Sequence, residues 1–172
     1  VYENTKTNAV KATLNDSTVK GAFGGIPFPI PQSGEEVMWN HLLAWRPTSH
    51  HVDVRGMQTT AAGQHVPTVF ASGDFQMPYY FKESNYEQFM DDYDGVFWKI
   101  RLLNYGPPIR AGEAITGHEN IKKGAGQAWV YFTGQRRVRK LPNACCDTPT
   151  PASAGISMFD QTNVFNGTTE RF

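Results

Sequence analysis

The side chains best suited to catalysis or metal binding lie in the motif His50-His51-x-Asp53. Imidazole and carboxylate groups are common metal ligands and common proton acceptors. The motif alternates with Val52 and Val54, a pattern typical of a half-buried strand, so His51 and Asp53 share one face and His50 points to the other. Nothing in the sequence requires a third ligand from another histidine. We therefore interpret these residues as solvated strand positions and predict no metal site.

The sequence contains none of the motifs that mark the common enzyme classes we considered. It has no G-x-S-x-G elbow, no H-E-x-x-H zinc motif and no P-loop. The carboxylates of Asp91, Asp92 and Asp94 have no evident general-acid partner, which indicates a solvated acidic loop. We predict no catalytic residues, no cofactor and no enzymatic activity. An enzyme built on the histidine–aspartate motif is the least favoured hypothesis.

The two cysteines, Cys145 and Cys146, are adjacent and cannot join distant segments. A bond between neighbours closes a strained ring, and the pair lacks the C-x-x-C spacing of metal sites. The sequence favours two free or buried thiols in a Pro-rich loop.

Composition limits the function further. Sixteen acidic and sixteen basic residues give a net charge of zero, which argues against a nucleic-acid-binding protein. No apolar run approaches the roughly 20 residues that span a bilayer. The chain starts at Val1 rather than at Met, which indicates a mature or excised fragment that has lost any targeting segment. The length predicts one domain, or a fragment of a longer one, over residues 1–172.

A β-hairpin is the clearest element, in the sequence Q-A-W-V-Y-F-T-G-Q-R-R-V-R-K-L-P at residues 127–142. Extended runs flank a T-G-Q turn, in which glycine would supply a positive φ. A two-residue turn pairs Val138 with Tyr131. A three-residue turn instead sets Arg137 opposite Tyr131 and Arg139 opposite Trp129, as cation–π pairs. The two arginines are our candidates for contact with a lipid headgroup or an acidic partner.

Further alternating segments near residues 51–55, 66–81, 96–102 and 109–121 predict an antiparallel, meandering sheet. One amphipathic helix is predicted at residues 34–46, starting at an S-G-E-E capping box. Residues 1–20 read as a weakly ordered lead-in or a piece of strand or helix, residues 83–94 as a loop or one helical turn, and the segment after residue 143 as an element of uncertain type. The Pro-rich run before the helix is either a loop packed over a core edge or an apolar flap over a cavity mouth.

Three motifs together resemble a family of uncharacterised proteobacterial proteins that are outer-membrane lipoprotein-sorting-like. These are G-G-I-P-F-P-I-P-x-S-G-E-E-x-x-W-N-H-L-L, W-V-Y-F-T-G-Q-R-R-V-R-K-L-P and D-T-P-T-P, at residues 24–43, 129–142 and 147–151. Members are longer, so the chain is similar to a central portion of one. The resemblance implies a periplasmic location and a LolA/LolB-like fold, in which a strongly curved antiparallel sheet forms an incomplete barrel with one or two covering helices. It also implies a role beside RND-type exporters in moving lipids or other hydrophobic molecules towards the outer membrane.

We therefore predict a mainly β, LolA-like half-barrel that binds a lipid or acyl chain without covalent chemistry. The predicted cavity lining is Trp98, Ile100, Leu102, Trp129 and Tyr131. The predicted cover is Phe28, Ile30, Met38, Leu42 and Trp45. The alternative is an adaptor with a filled core that docks on an exporter or outer-membrane protein through the basic hairpin and the acidic loop. Exposed sheet edges could also pair in a homodimer.

Overall fold

The computed structural model describes residues 1–82, 85–141, 145–150, 153 and 155–161. Its centre is a six-stranded antiparallel sheet whose strand order follows the sequence, accompanied by a two-stranded hairpin. In chain order the elements are α1 (Tyr2–Lys11), β1 (Thr13–Asn15), β2 (Thr18–Lys20), α2 (Gly34–Leu42), β3 (Ser49–Thr59), β4 (His65–Gln76), α3 (Tyr86–Tyr93), β5 (Val96–Gly106), β6 (Ala114–Asn120), β7 (Gln127–Phe132) and β8 (Arg137–Lys140). The structure confirms the predicted mainly β fold with an antiparallel sheet.

The sheet is open, because β3 and β8 form its two edges and do not pair with each other within the described residues. Every pair of neighbouring strands is antiparallel; turns or short loops join most of them, and the 3-10 turn Pro78–Tyr80 and helix α3 lie between β4 and β5. The edges carry features that discourage further pairing: a register shift at Gly56 in β3 and basic side chains on the short β8. The homodimer through these edges stays a prediction.

The strand register gives the sheet two faces, which we call inner and outer. One cross-strand row on the inner face consists of Phe75, Ile100, Gly117 and Ala128. The neighbouring row on the outer face consists of Asp74, Arg101, Thr116, Trp129 and Lys140. Because side chains alternate along a strand, every sheet residue can be assigned to a face from these rows, except beside the irregularities in register.

The main hydrophobic core lies at one end of the sheet, where the helices pack. Its fully buried members include Trp39 of α2, Phe89 of α3 and Tyr79 in the 3-10 turn Pro78–Tyr80. The rings of Phe89 and Tyr79 meet edge to face at 5.7 Å, a preferred geometry for aromatic pairs. This cluster fixes the start of β5, where Phe97 packs against Trp39 at 6.2 Å between ring centroids.

Helix α2 begins at the predicted cap but ends four residues earlier than predicted. Ser33 Oγ accepts from the backbone N–H of Glu36 at 3.2 Å. The chain leaves the helix at Leu42, so Trp45 lies beyond it and is 60% exposed. The buried side chains of the helix are Trp39 and Leu42. Of the predicted face, Leu42 is buried and Met38 is half-buried, whereas the prediction for Trp45 is wrong. Pro47 shows that the helix must end before it, but it does not show how many residues before.

The Pro-rich segment is a packed loop, held by two asparagines. Phe28 lies between two prolines and, unlike them, has a backbone N–H. Asn40 of α2 accepts a hydrogen bond from that N–H at 2.9 Å and donates one to the Phe28 carbonyl. Asn8 of α1 accepts from Phe23 N–H at 3.1 Å and donates to Gly25 C=O at 3.1 Å. These contacts match the first alternative, a loop over a core edge, and Phe28 is buried in that core.

Two segments are more ordered than the sequence suggested. Residues 1–20 form α1 and the β1–β2 hairpin, and Val19 N–H donates to Ile121 C=O at 3.1 Å. The acidic segment forms the two-turn helix α3, where Asn85 Oδ1 caps the N-terminus and Asp94 adopts a left-handed conformation at the C-terminus. Both were short polar runs whose order depends on packing that the local sequence does not reveal.

The β7–β8 hairpin has the register predicted for a two-residue turn, with Val138 opposite Tyr131. Trp129 therefore faces Lys140, whose ammonium lies 5.9 Å from its ring centroid, rather than Arg139. The positive φ in the turn belongs to Arg136, at 51°, and not to Gly134.

Candidate functional site

A cavity of about 290 Å³ lies between the inner face of the sheet and the described residues that follow β8, namely 145–150, 153 and 155–161, which we call the tail. Strands β3 to β7 form its floor and four tail residues form its wall. The described residues that line it are Val54, Val69, Phe75, Trp98, Ile100, Leu102, Ile115, Gly117, His118, Glu119, Gln127, Ala128, Thr150, Ser153, Ser157 and Phe159. The floor is predominantly apolar, and the wall carries hydroxyl groups.

The cavity exists because small residues occupy central positions of the inner face. Gly117 and Ala128 stand beside Ile100 in one row, and Gly73 stands opposite Leu102 in the next. A Cβ at Gly73 would lie 2.2 Å from Leu102 Cδ2, so only glycine lets that leucine lie over the strand. A Cβ at Gly117 would lie 3.0 Å from the carbonyl oxygen of Gln127. The side chain of Leu102 thus fills the space above Gly73, and the small residues that line the gap itself are Gly117 and Ala128.

The predicted lining residues divide between the two faces of the sheet. Trp98, Ile100 and Leu102 alternate on β5, point to the inner face and line the cavity. Trp129 and Tyr131 lie on the outer face, where they border a separate shallow groove. The structure therefore brings the first three together and does not join the other two to them.

The five predicted cover residues do not line this cavity. Phe28 and Leu42 are buried in the core beside the helices, and Met38 is half-buried on α2. Ile30 is 81% exposed and Trp45 is 60% exposed. The cover of the cavity comes instead from the tail.

A cluster of three hydroxyl groups forms much of the tail wall. Thr150 Oγ1 lies 2.7 Å from Ser153 Oγ and 3.0 Å from Ser157 Oγ. Ser157 Oγ and its backbone N–H both donate to Ser153 Oγ, at 2.7 and 2.9 Å. Ser153 Oγ in turn donates to the Thr150 carbonyl at 3.2 Å. Sequence reasoning missed this cluster because a Pro/Ala/Ser/Thr-rich run reads as an ordinary loop.

The tail begins at a disulfide bond between Cys145 and Cys146. Both residues are buried, and the expectation of free thiols is wrong. Backbone hydrogen bonds fold the tail back on itself: Phe159 N–H donates to Thr148 C=O and Asp160 N–H to Cys146 C=O, both at 3.0 Å. The bond therefore sits at the base of the cavity wall.

The histidine–aspartate motif is split between the faces, as its alternation predicted. His50 stacks on Phe75 at 5.0 Å. His51 lies on the outer face, where its ring nitrogens bond Asp74 Oδ1 at 2.8 Å and Ser72 Oγ at 2.9 Å. The hydrogen bond to Asp74 raises the pKa of His51. In the part of the chain that the structure describes, no group of three His, Cys, Asp or Glu side chains could hold a metal ion.

Few charged side chains reach the cavity. Glu119 lines it, opposite Trp98 in the register. Arg137 and Arg139 lie on the exposed edge strand and are outside the described lining. The ring of His118 packs beside Trp129, at 5.7 Å, and burial lowers its pKa, with smaller contributions from Lys99 and Lys140.

An open antiparallel sheet with an apolar cavity under its tail defines a mainly β domain with room for a small ligand. The chain belongs to the family described as "Protein of unknown function (DUF1329)", whose profile matches residues 1–172. It is similar to the uncharacterized protein PA3922 of Pseudomonas aeruginosa, with 32% identity over 153 residues. The match covers 85% of this chain and 31% of that relative, so the chain spans about a third of its length.

No solved structure matches the chain significantly. None of the helices described above has the length and apolar character needed to cross a membrane.

Proposed function

We propose that the protein is a periplasmic carrier that binds the apolar part of a lipid or another hydrophobic molecule and takes part in export to the outer membrane. The observation that carries the proposal is the cavity of about 290 Å³ over the inner face. Apolar cavities of this kind bind apolar molecules because burial removes hydrocarbon surface from water. Binding requires no catalytic group.

The cavity volume limits the size of the cargo. An apolar cavity of about 150 Å³ holds one benzene ring, so 290 Å³ holds about ten to twelve non-hydrogen atoms. That corresponds to one medium-length chain rather than a complete two-chain lipid. A larger cargo would place one chain in the cavity and leave the rest outside.

Two observations support the location. The disulfide between Cys145 and Cys146 is typical of oxidising compartments such as the periplasm. The motifs described above resemble periplasmic lipoprotein-sorting-like proteins, and the open antiparallel sheet is compatible with their half-barrel fold. The LolA/LolB-like fold and the link to exporters remain part of the proposal.

A pair of matched substitutions tests the proposal. Val54 lines the cavity and is 39% exposed, whereas Val66 on β4 is 44% exposed and outside the described lining. An indole is larger than the benzene that fills about 150 Å³, so Val54→Trp should fill roughly half of the cavity from its rim. Val66→Trp makes the same chemical change away from it.

We expect Val54→Trp to weaken binding of a neutral medium-chain probe by at least about tenfold, equivalent to about 1.4 kcal/mol. Val66→Trp should bind as the unsubstituted protein does. Native mass spectrometry of the three proteins measures the difference. Equal binding by both variants would remove the cavity as the site.

The outer face favours one alternative, an adaptor that docks on an exporter or outer-membrane protein. Lys140 lies opposite Trp129 there, Arg101 lies in the same cross-strand row beyond Thr116, and Val138 is 66% exposed. Such docking would weaken strongly with salt and would not change in Val54→Trp. Absence of probe uptake together with salt-sensitive partner binding would select it.

A further inference from the structure

We infer that the outer face of the sheet, over strands β5 to β8, is a docking surface for a membrane that carries anionic lipids. This face lies opposite the cavity, so the inference does not depend on what the cavity binds. It goes beyond the proposed function by adding a partner, a phospholipid surface. Three observations carry it: the order of side chains across the strands, the lack of counter-charges and the spacing of the basic groups.

Two neighbouring cross-strand rows give this part of the outer face an apolar strip beside a basic one. The apolar row consists of Leu103, Ala114, Tyr131 and Val138. The basic row consists of Arg101, Thr116, Trp129 and Lys140, with Lys99 beside it on β5. We call the two rows together with Lys99 the outer patch. Leu103 is 44% exposed and Val138 is 66% exposed, so the apolar row meets water.

The basic side chains of the outer patch have no counter-charge. None of Lys99, Arg101 and Lys140 forms an ion pair in the part of the chain that the structure describes. The one carboxylate on strands β5 to β8 belongs to Glu119, which lies on the inner face. The basic row continues on β4 with Asp74, whose carboxylate is bonded to the ring of His51 at 2.8 Å. The outer patch is therefore a positive surface that complements an anionic one.

The spacing of the bases favours an array of headgroups over a single anion. Arg101 lies on β5 and Lys140 on β8, three strand spacings or about 14 Å apart across the sheet. One phosphate group cannot contact both. Trp129 and Tyr131 of β7 lie between these strands, and their residue types are enriched where proteins meet the polar region of a bilayer. Basic groups beside aromatic and exposed apolar side chains are typical of proteins that bind an anionic membrane surface.

Vesicles of two compositions test the inference on the unsubstituted chain. One consists of phosphatidylcholine alone, and in the other about one third of the lipid is phosphatidylglycerol. Each basic side chain near an anionic surface changes the affinity about fivefold. We therefore expect co-sedimentation at low salt to show at least about tenfold tighter binding to the anionic vesicles, and added salt to reduce it. Equal binding to the two compositions, or binding to neither, would overturn the inference.

Paired substitutions locate the attraction. Arg101→Gln with Lys140→Gln removes two charges from the outer patch and should weaken binding to anionic vesicles at least about tenfold. The control is Lys11→Gln with Lys20→Gln, which removes two exposed charges from α1 and β2, outside the six-stranded sheet. It should weaken binding less than about threefold. Equal weakening by both double variants would refute the outer patch, because the attraction would then follow net charge alone.

A fluorescent label shows which surface meets the lipid, and it decides the inference even if a double variant fails to fold in thermal melts. The two cysteines of the sequence are bonded to each other, so one introduced cysteine can carry a dye that brightens in an apolar environment. Val138→Cys places the dye in the outer patch, and Val10→Cys places it on α1, where the side chain is 86% exposed. We expect anionic vesicles to raise the emission severalfold in Val138→Cys alone. An unchanged emission there, or an equal rise in Val10→Cys, would contradict the docking surface.

These outcomes are separable from those of the cavity test. Val54→Trp, which narrows the cavity, should bind anionic vesicles as the unsubstituted protein does. Failure to bind vesicles would overturn membrane docking and leave the cavity as a binding site, whereas failure to take up the medium-chain probe would leave the outer patch in place. Salt-sensitive binding of a protein partner, together with no binding to either kind of vesicle, would select the adaptor and overturn membrane docking.

Discussion

Replacing Asn8 with alanine should lower the free energy of unfolding by about 2–3 kcal/mol, although Asn8 is far in sequence from the sheet. Its side chain is 2% exposed and joins α1 to the Pro-rich loop. Its Oδ1 accepts from Phe23 N–H at 3.1 Å, and its Nδ2 donates to Gly25 C=O at 3.1 Å. Tyr79 Oη also donates to Gly25 C=O, at 2.7 Å.

The magnitude follows from what each group loses. Phe23 N–H keeps no acceptor, and an unsatisfied buried donor costs about 1–3 kcal/mol. The Gly25 carbonyl keeps its hydrogen bond from Tyr79, so losing the hydrogen bond from Asn8 costs little at this carbonyl. The void left by the removed amide also lowers the free energy of unfolding, by a fraction of what a larger truncation in the core would cost. The total corresponds to a fall in melting temperature of about 5–10 °C for a domain of this size.

Urea denaturation followed by fluorescence measures this change, because Trp39 is fully buried in the same core. Thr7→Ala is the control: Thr7 lies one residue away on α1, is exposed, and bonds only the Glu3 carbonyl of its own helix. It should change stability by less than about 0.5 kcal/mol. An Asn8→Ala variant that is as stable as this control would refute the account of the loop.

Three further measurements test other parts of the structure. Reduction of the Cys145–Cys146 bond by a phosphine should loosen the cavity wall and speed the release of the neutral medium-chain probe severalfold in stopped-flow displacement. An unchanged rate would mean that the bond does not restrain the wall. Burial lowers the pKa of His118, so the unfolded chain binds its proton more readily and stability should fall as pH drops below about 6.5. Thermal melts between about pH 8 and 5.5 should show a smaller fall in stability for His118→Gln than for the unsubstituted protein. Equal falls in the two proteins would contradict this role of His118. Lys140→Ala, which removes the cation near Trp129, should lower the free energy of unfolding in urea by less than about 1 kcal/mol and leave binding of the neutral medium-chain probe unchanged. A larger loss of stability would assign the edge strand a structural role.

Alternation within one strand was sufficient to predict that Trp98, Ile100 and Leu102 share a face. Alternation could not show whether Trp129 and Tyr131 lie on the same face as these residues, because that depends on the registers of β6 with β5 and with β7. A shift of one residue in either pairing moves a strand's side chains to the other face. The capping residue Ser33 was likewise predictable, whereas the end of α2 was not, because no local signal marks Leu42 as its last residue.

The site itself was the least predictable part. Its floor includes Gly117, which in a sequence reads only as a break or bend in a strand. Its wall depends on hydroxyls in a segment with no periodic pattern. The cavity thus arises from relations between distant segments, and those appear only when the sheet register and the tail are both known.

The position of the wall in the chain has a consequence for synthesis. Ribosomes deliver a protein from its N-terminus, so the strands of the sheet emerge before the tail that covers them. Until residues 145–161 arrive, the inner face around Ile100 and Leu102 is bare hydrocarbon, which a nascent chain must shield from other chains. The sheet is therefore most prone to aggregate before the tail packs on it, and an apolar molecule present at that moment would be enclosed when the tail docks.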